Sequence, residues 1–339
     1  MCREPDSPQL DADDRNPAGR RWTACETASL IDARFADLEP ARAEFMGEGW
    51  DFMAFRVNDA YVFRLPKWTH CDASLRREFA LLPEIARRTN VPIPKYEYVG
   101  ETEDGLAFGG YREIVGDPLT PETYAAMAPD GRDHVADTLA EFMRAVHSMP
   151  VAWADDGGVP HEPFGAVYEE TRDDARQYVL PRLTPEDRAI CERMFDEYLD
   201  DPANDAYVPT FLHSDLVSEH VLWDHATERI AGIIDFGDMT IGDPDFEFTY
   251  LVCHGDLARQ VLARYPTDDP ERTLRKAWFF YLTGGIYGVA EGERLGHRHK
   301  IVDGWEEIRG TMPHLRGMYA GRERRPMVDA GDAPASGRQ

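Results

Sequence analysis

Residues 213–224 read His213-Ser214-Asp215-Leu216-Val217-Ser218-Glu219-His220-Val221-Leu222-Trp223-Asp224, and a polar turn later residues 229–238 read Arg229-Ile230-Ala231-Gly232-Ile233-Ile234-Asp235-Phe236-Gly237-Asp238. Short apolar runs separated by a polar turn predict a hairpin of buried strands. A carboxylate stands at the edge of each run. Asp215 precedes the first strand, and Asp235, twenty residues further on, closes the second. A tight hairpin holds both groups on adjacent loops, and loops on a rigid mount are where binding and catalytic residues concentrate.

Two carboxylates on neighbouring loops suit phosphoryl transfer. One accepts or orients a hydroxyl proton while the other holds the metal that bridges the phosphates. Catalysis of that kind depends on positioning and electrostatics, which a stiff hairpin supplies. A second His-x-Asp-Leu, at Cys253-His254-Gly255-Asp256-Leu257, lacks a following strand and Asp-Phe-Gly. His254 and Asp256 therefore read as structural or surface residues at the start of a helix.

Upstream, residues 50–65 alternate apolar and polar around Asn58-Asp59, which predicts an antiparallel hairpin. Leu75, Phe79, Leu82 and Ile85 recur at helical spacing over about 72–88, and Pro92 and Pro94 end that helix. Residues 96–99 and 106–114 read as two more strands. Beyond Gly116-Asp117-Pro118, helical patterns dominate at 132–148, about 166–179, 185–200 and 271–290. The expectation is an α+β, bilobal fold. A small antiparallel-sheet lobe with one helix spans 21–115, a larger and mainly helical lobe spans 116–321, and polar, aperiodic segments at 1–20 and 322–339 read as disordered tails.

The chain has 339 residues and a formal net charge of −26, from 63 acidic and 37 basic residues. That balance repels nucleic acid and anionic membrane surfaces and suits a cationic small molecule. Five cysteines, odd in number, widely spaced and without a Cys-x-x-Cys pair, argue against a disulfide framework and against a zinc site. The N-terminus lacks the apolar stretch of a signal peptide, and the longest apolar run, 277–290, is too short to span a bilayer. The expected location is the cytoplasm, as a monomer or weak dimer. No Gly-x-x-x-x-Gly-Lys-Ser/Thr, His-Glu-x-x-His or Gly-x-Ser-x-Gly motif occurs.

The paired motifs resemble the catalytic and metal-binding loops of the eukaryotic-like kinases. The fuller run Ile233-Ile234-Asp235-Phe236-Gly237-Asp238-Met239-Thr240-Ile241-Gly242-Asp243-Pro244-Asp245-Phe246-Glu247-Phe248 is similar to the aminoglycoside and macrolide phosphotransferase family. The likeness covers about residues 45–320. It includes Gly47-Glu48-Gly49-Trp50-Asp51, Arg76-Arg77-Glu78-Phe79-Ala80-Leu81-Leu82 and Tyr111-Arg112-Glu113-Ile114-Val115-Gly116. The resemblance implies a protein-kinase-like fold, Mg2+, and ATP or GTP as phosphoryl donor. It implies that 47–51 close over the nucleotide, that backbone groups of Arg112 and Ile114 meet the base, and that Glu78 supports a phosphate-binding cation. It casts Asp215 as the catalytic carboxylate and Asp235 as the metal ligand; His213 reads as holding the catalytic loop by hydrogen bonds and not as a base.

Two positions depart from the family pattern. Arg64 stands where the family usually has a lysine, with Lys67 as the other candidate, and an arginine still offers a fixed fork to phosphate and to Glu78. His220 stands where an asparagine metal ligand is usual. Nitrogen is an uncommon partner for magnesium, so direct ligation, ligation through water and simple packing all stay open. Glu219, Asp238 and Asp243 lie beside the motif, with Asp243 read as fixing its own loop. Trp278, Phe279, Phe280, Tyr281 and Tyr287 read mostly as core, on helices that wall the acceptor pocket in the family. The leading expectation is O-phosphorylation of an aminoglycoside-like antibiotic. A macrolide, a metabolite or biosynthetic intermediate, and a non-catalytic kinase-like binding module are the alternatives.

Overall fold

The computed structural model describes residues 19–162 and 164–320. The tails expected at 1–20 and 322–339 lie outside those residues except for Gly19 and Arg20. Arg20 is tied down, its N–H donating to the Lys67 carbonyl at 2.8 Å.

The first lobe opens with a helix the sequence reading did not anticipate, α1 (Ala24–Arg34). Thr23 and Glu26 cap it reciprocally, satisfying two of the amides that a helix start leaves unpaired. Five strands follow, β1 (Ala43–Glu48), β2 (Phe52–Val57), β3 (Tyr61–Pro66), β4 (Tyr96–Glu101) and β5 (Ala107–Arg112), with helix α2 (Cys71–Ile85) between β3 and β4. They form one antiparallel sheet in the order β1-β2-β3-β5-β4. At the β2–β3 turn Asn58 and Asp59 take φ of +50° and +56°, a left-handed backbone that Asn and Asp tolerate better than other side-chain-bearing residues. The expected hairpin is therefore present. Phe55, Val57, Phe63, Leu65 and Phe108 of the sheet pack with Ile31 of α1 into a closed core.

The second lobe begins at β6 (Asp117–Pro118) and continues through α3 (Pro121–Ala126), α4 (Pro129–His147), α5 (Val151–Asp156), α6 (Phe164–Asp174), a π-helical turn over 175–179 and α7 (Pro185–Leu199). Then come β7 (Thr210–Leu212), β8 (Val221–Asp224), β9 (Arg229–Ile233) and β10 (Thr240–Gly242), followed by α8 (Leu257–Leu262), α9 (Pro270–Leu295) and α10 (Arg298–Tyr319). β8 and β9 pair as the predicted hairpin, with β6 on its edge, and β7 pairs with β10. Val135, Leu139, Phe142 and Val146 are fully buried on one face of α4, as their spacing requires. Removing Phe142 to alanine would cost about 3–5 kcal/mol by the usual cavity cost for a buried aromatic.

α9 and α10 pack so closely that a Cβ on Gly304 would meet the Gly285 carbonyl at 2.5 Å, which is why glycine sits there. Phe279 and Phe280 of α9 are core, and Trp278 and Tyr281 pack against it. Tyr287 departs from the expectation, being 53% exposed.

Candidate active site

Asp215 sits in the loop between β7 and β8, and that loop is held from within the second lobe. Glu247 is fully enclosed, and its two carboxylate oxygens accept the backbone N–H of His213 at 3.0 Å and of Ser214 at 2.7 Å. Ser214 carries φ +66°, a strained setting for a side-chain-bearing residue, and those two amide bonds help hold it there. His213 is completely buried. Its Nδ1 accepts the Asp215 N–H at 3.2 Å, its Nε2–H donates to the Ile234 carbonyl at 3.2 Å, and its ring meets Phe236 edge-on at 4.4 Å. His213 thus ties one motif to the other by hydrogen bonds, as a positioning residue.

Asp235 follows β9 with φ +59°, and it is gripped from the first lobe. Its Oδ1 accepts from Arg64 Nη2 at 2.8 Å and from the Gly237 N–H at 3.3 Å. The same guanidinium reaches both oxygens of Glu78 on α2, at 2.7 and 2.9 Å, and lies over the Phe52 ring at 4.4 Å. Tyr96 donates to Glu78 at 2.9 Å, and Ser74 of α2 donates to the Gly237 carbonyl at 3.0 Å. Of the two candidate cations, the fold brings Arg64 to Glu78 and Asp235. Lys67 turns instead to Glu48 at 3.1 Å and to the Gly49 carbonyl at 2.9 Å, holding the β1–β2 turn.

His220 lies between the two carboxylates. Its Nδ1 is 2.9 Å from the Asp215 carbonyl and 3.1 Å from Asp215 Oδ2, while Nε2 is 3.7 Å from Asp235 Oδ2. Burial alone would depress this imidazole. The hydrogen bond and charge of Asp215, helped by the charge of Asp235, outweigh burial and push it up to about 9. Burial likewise works to raise Asp235, and the charges of Arg64 and His220 hold it below the usual carboxylate range. Burial lowers His213, which stays a neutral hydrogen-bonding group. Complete burial pushes Glu78 up to about 7 against the pull of Arg64.

Further acids add to the negative charge of this region. Asp238 meets solvent, yet desolvation inside the cleft and the charges of Asp215, Asp235 and Asp51 push it up to about 6. Glu307 on α10 is raised to about 7 by burial and by Asp303. Tyr250 feels the charges of Asp215, Glu307 and Asp238 together. The turn between β1 and β2 reaches over from the first lobe. Trp50 at its tip lies 4.2 Å under Lys300 Nζ of α10 and 5.8 Å from the His299 ring.

The remaining sequence candidates divide clearly. Asp243 is buried, pairs with Lys276 and accepts the Asp245 N–H at 3.0 Å, so it fixes its own loop. His254 is buried and bonded to the Leu119 carbonyl at 2.8 Å, in keeping with a structural role. Glu219 is exposed. Arg112 closes β5 with an exposed side chain that donates to the Tyr61 hydroxyl at 2.9 Å. Ile114 follows in the stretch joining the lobes, its side chain against Gly232 of β9. Sequence reasoning passed over Glu247, Ser74, Tyr250 and Glu307. Glu247 stood inside a quoted motif, but nothing local announced that it would bond amides more than thirty residues earlier.

The signature of the phosphotransferase enzyme family matches residues 42–282. An aminoglycoside 3'-phosphotransferase from Streptomyces ribosidificus is 28% identical over 172 residues, which is 50% of this chain and 56% of that protein, so the chain spans little more than half the length of this curated relative. Among solved structures, the GDP complex of wild-type aminoglycoside 2'-phosphotransferase-IIIa is similar with a TM-score of 0.80 and 31% identity, over 86% of this chain and 99% of the other. A macrolide 2'-phosphotransferase type I shares the fold at a TM-score of 0.57 and 18% identity, over 85% of this chain and 98% of the other.

Proposed function

Because this chain belongs to the phosphotransferase enzyme family, we propose that it moves the γ-phosphoryl group of ATP or GTP to a hydroxyl of an aminoglycoside-like, polycationic antibiotic. The observation that carries this reading is the assembly of Asp215 and Asp235 on adjoining loops, with His220 within 3.1 Å of one and 3.7 Å of the other and Arg64 bound to the second. Asp215 would orient the acceptor hydroxyl and take its proton as the oxygen bonds to the γ-phosphorus. The bond to the β–γ bridging oxygen then breaks, and ADP or GDP leaves. Arg64, bound to Glu78 and Asp235, would set its positive charge beside the phosphates, and backbone groups of Arg112 and Ile114 would meet the base.

Magnesium fits this donor set on the side of Asp235. Its Oδ2 is a carboxylate oxygen not taken by Arg64, whereas His220, held protonated beside the two carboxylates, has no lone pair for a cation, and nitrogen is in any case a poor donor to magnesium. Asp235 would hold the ion and His220 would stand beside it. When bound with the nucleotide, the ion neutralises charge on the phosphate oxygens.

The acceptor class rests on charge. The charges of Asp215, Glu307 and Asp238 all act on Tyr250, and a ligand bearing several ammonium groups would be drawn to that negative field. The similar structure bound to GDP supports testing GTP beside ATP. The test is mass spectrometry of reactions containing purified protein, Mg2+, ATP or GTP, and panels of aminoglycosides, macrolides and other hydroxylated compounds. A phosphorylated aminoglycoside is expected. Phosphorylation of macrolides alone would overturn the acceptor class, and nucleotide binding without any product would move the acceptor to an untested metabolite.

A further inference from the structure

Away from the paired loops, the start of α2 and the β1–β2 turn, whose residues 47–51 are expected to close over the nucleotide, bring together three side chains to which phosphoryl transfer gives no chemical step. Asp51 Oδ1 and His70 Nε2 are 3.0 Å apart, and one ligand atom from each of Asp51, His70 and Cys71 lies within 4.8 Å of the others. We propose that these three residues form a metal site for a borderline divalent cation such as Zn2+, joining the β1–β2 turn to the N-terminus of α2.

The donor set decides the cation. Magnesium takes oxygen ligands in an octahedron and has no use for a thiolate and an imidazole. Zinc accepts cysteine sulfur, histidine nitrogen and aspartate oxygen, and a site with three protein ligands keeps a fourth position for water. The cysteine spacing told against a zinc site, but it could not show that the fold brings a single cysteine, Cys71, to Asp51 and His70. Cys71 is buried, while His70 and Asp51 are 66% and 40% exposed on their side chains, which leaves the ion a path in.

The ligands are also held in place before any ion arrives. The Asp51 carbonyl accepts from the Lys67 N–H at 2.8 Å and from the Cys71 thiol at 3.2 Å. Trp68 donates to the Trp50 carbonyl at 3.2 Å and stacks on the His70 ring at 6.3 Å. Little backbone freedom is left to lose on binding. Burial and the Asp51 charge push the Cys71 thiol up to about 11, so the ion must displace that proton, and binding releases one proton as the sulfur–metal bond forms. Because Trp50 reaches α10 and Asp51 acts on Asp238, an ion here would stiffen the part of the first lobe that overhangs the cleft.

The test titrates the full chain, stripped with a chelator and free of nucleotide, with Co2+ as the spectroscopic probe and then with Zn2+ in competition. One equivalent should bind with a thiolate-to-Co2+ charge-transfer absorption, release a proton and raise Tm by mass action. Cys71→Ser should lose the absorption, and His70→Ala should weaken binding at least tenfold. His70 is exposed, so its variant folds even if the buried Cys71→Ser does not, and Tm of each apo variant checks this. An absorption that persists in Cys71→Ser points to another thiol, such as exposed Cys25, and overturns the proposal. Unchanged affinity in His70→Ala, or no stoichiometric binding by the wild-type chain, overturns it as well.

Discussion

The loops that carry Asp215 and Asp235 are neighbours, but they are held by different parts of the molecule. The Asp215 loop hangs from Glu247, which accepts two of its amides and is itself bonded to His147 at 3.0 Å; His147 in turn meets the Tyr265 hydroxyl at 2.6 Å. Every member of that chain belongs to the second lobe. The Asp235 loop is gripped from the first lobe, by Arg64 of β3 at its carboxylate and by Ser74 of α2 at Gly237. Asp215, the carboxylate proposed to meet the acceptor, is therefore anchored within one lobe, whereas Asp235, proposed to serve the donor, is also bound by the other lobe. A fixed element beside a coupled one lets nucleotide binding organise half of the site without disturbing the other half.

The sharpest way to break this comparison is to remove each carboxylate in turn. Asp215→Ala should cut phosphoryl transfer by about 10²–10⁴-fold, the usual worth of a positioned proton acceptor, while Mg2+ and nucleotide still raise Tm. Asp235→Ala should lose both turnover and the nucleotide-dependent rise in Tm. If Asp215→Ala lost the rise in Tm as well, the two loops would not be independent.

Removing the anchors is the next test. Glu247→Ala leaves two buried amides and a buried histidine without their partner, which should cost about 3–5 kcal/mol in denaturant unfolding. Glu247→Gln keeps one acceptor oxygen and the shape, and should recover part of the loss. Burial works to raise Glu247, and the hydrogen bond and charge of His147 hold it low, so the site favours a carboxylate and the glutamine cannot restore it fully. A Glu247→Ala protein of wild-type stability would mean that the loop is held by something else.

The acidic wall yields a pH dependence of smaller size. Glu307 is raised to about 7 by burial and Asp303, and Asp238 to about 6 by desolvation and its acidic neighbours. A carboxyl group with a raised value is charged above that value and neutral below it. As pH falls from about 8 to 6 both take up protons, so KM for a cationic acceptor should rise about tenfold, an energy of the order of one pKa unit. KM for the nucleotide should move less. Glu307→Gln should flatten the upper part of the profile, and an unchanged profile in that variant would remove Glu307 from the acceptor site.

The sequence made the carboxylate pair readable because each motif is local. A histidine two residues from an aspartate, a two-strand hairpin and a second aspartate occupy one contiguous run, and the hairpin cannot form without bringing its ends together. The turn at Asn58-Asp59 and the buried stripe of α4 were readable for the same reason. Spacing could not choose between Arg64 and Lys67, since both are buried near the end of β3 and only the packing of α2 shows which one meets Glu78. α10 gave a faint signal because its buried stripe is Gly304, Ile308, Thr311, Met312 and Leu315, with a glycine and a threonine among its apolar residues and Pro313 in its course. Tyr287 misled in the opposite sense. It continues an aromatic run at helical spacing but falls on the face of α9 turned to solvent.

Ser74 offers the finest test of the difference between the two loops. Its hydroxyl is the link between α2 and the backbone of the Asp235 loop, a single neutral hydrogen bond of 3.0 Å in a nearly buried place. Ser74→Ala removes the donor and leaves the Gly237 carbonyl to find water, which should cost about 0.5–1.5 kcal/mol. A purely structural bond would lower Tm by the same amount with or without nucleotide. If α2 transmits the position of the first lobe to Asp235, the loss should be larger with Mg2+ and nucleotide bound, because the bound state needs the loop ordered. The same comparison in Glu247→Ala should show no such dependence on nucleotide, since that anchor lies within one lobe. Equal nucleotide dependence in the two variants would erase the distinction between a fixed loop and a coupled one.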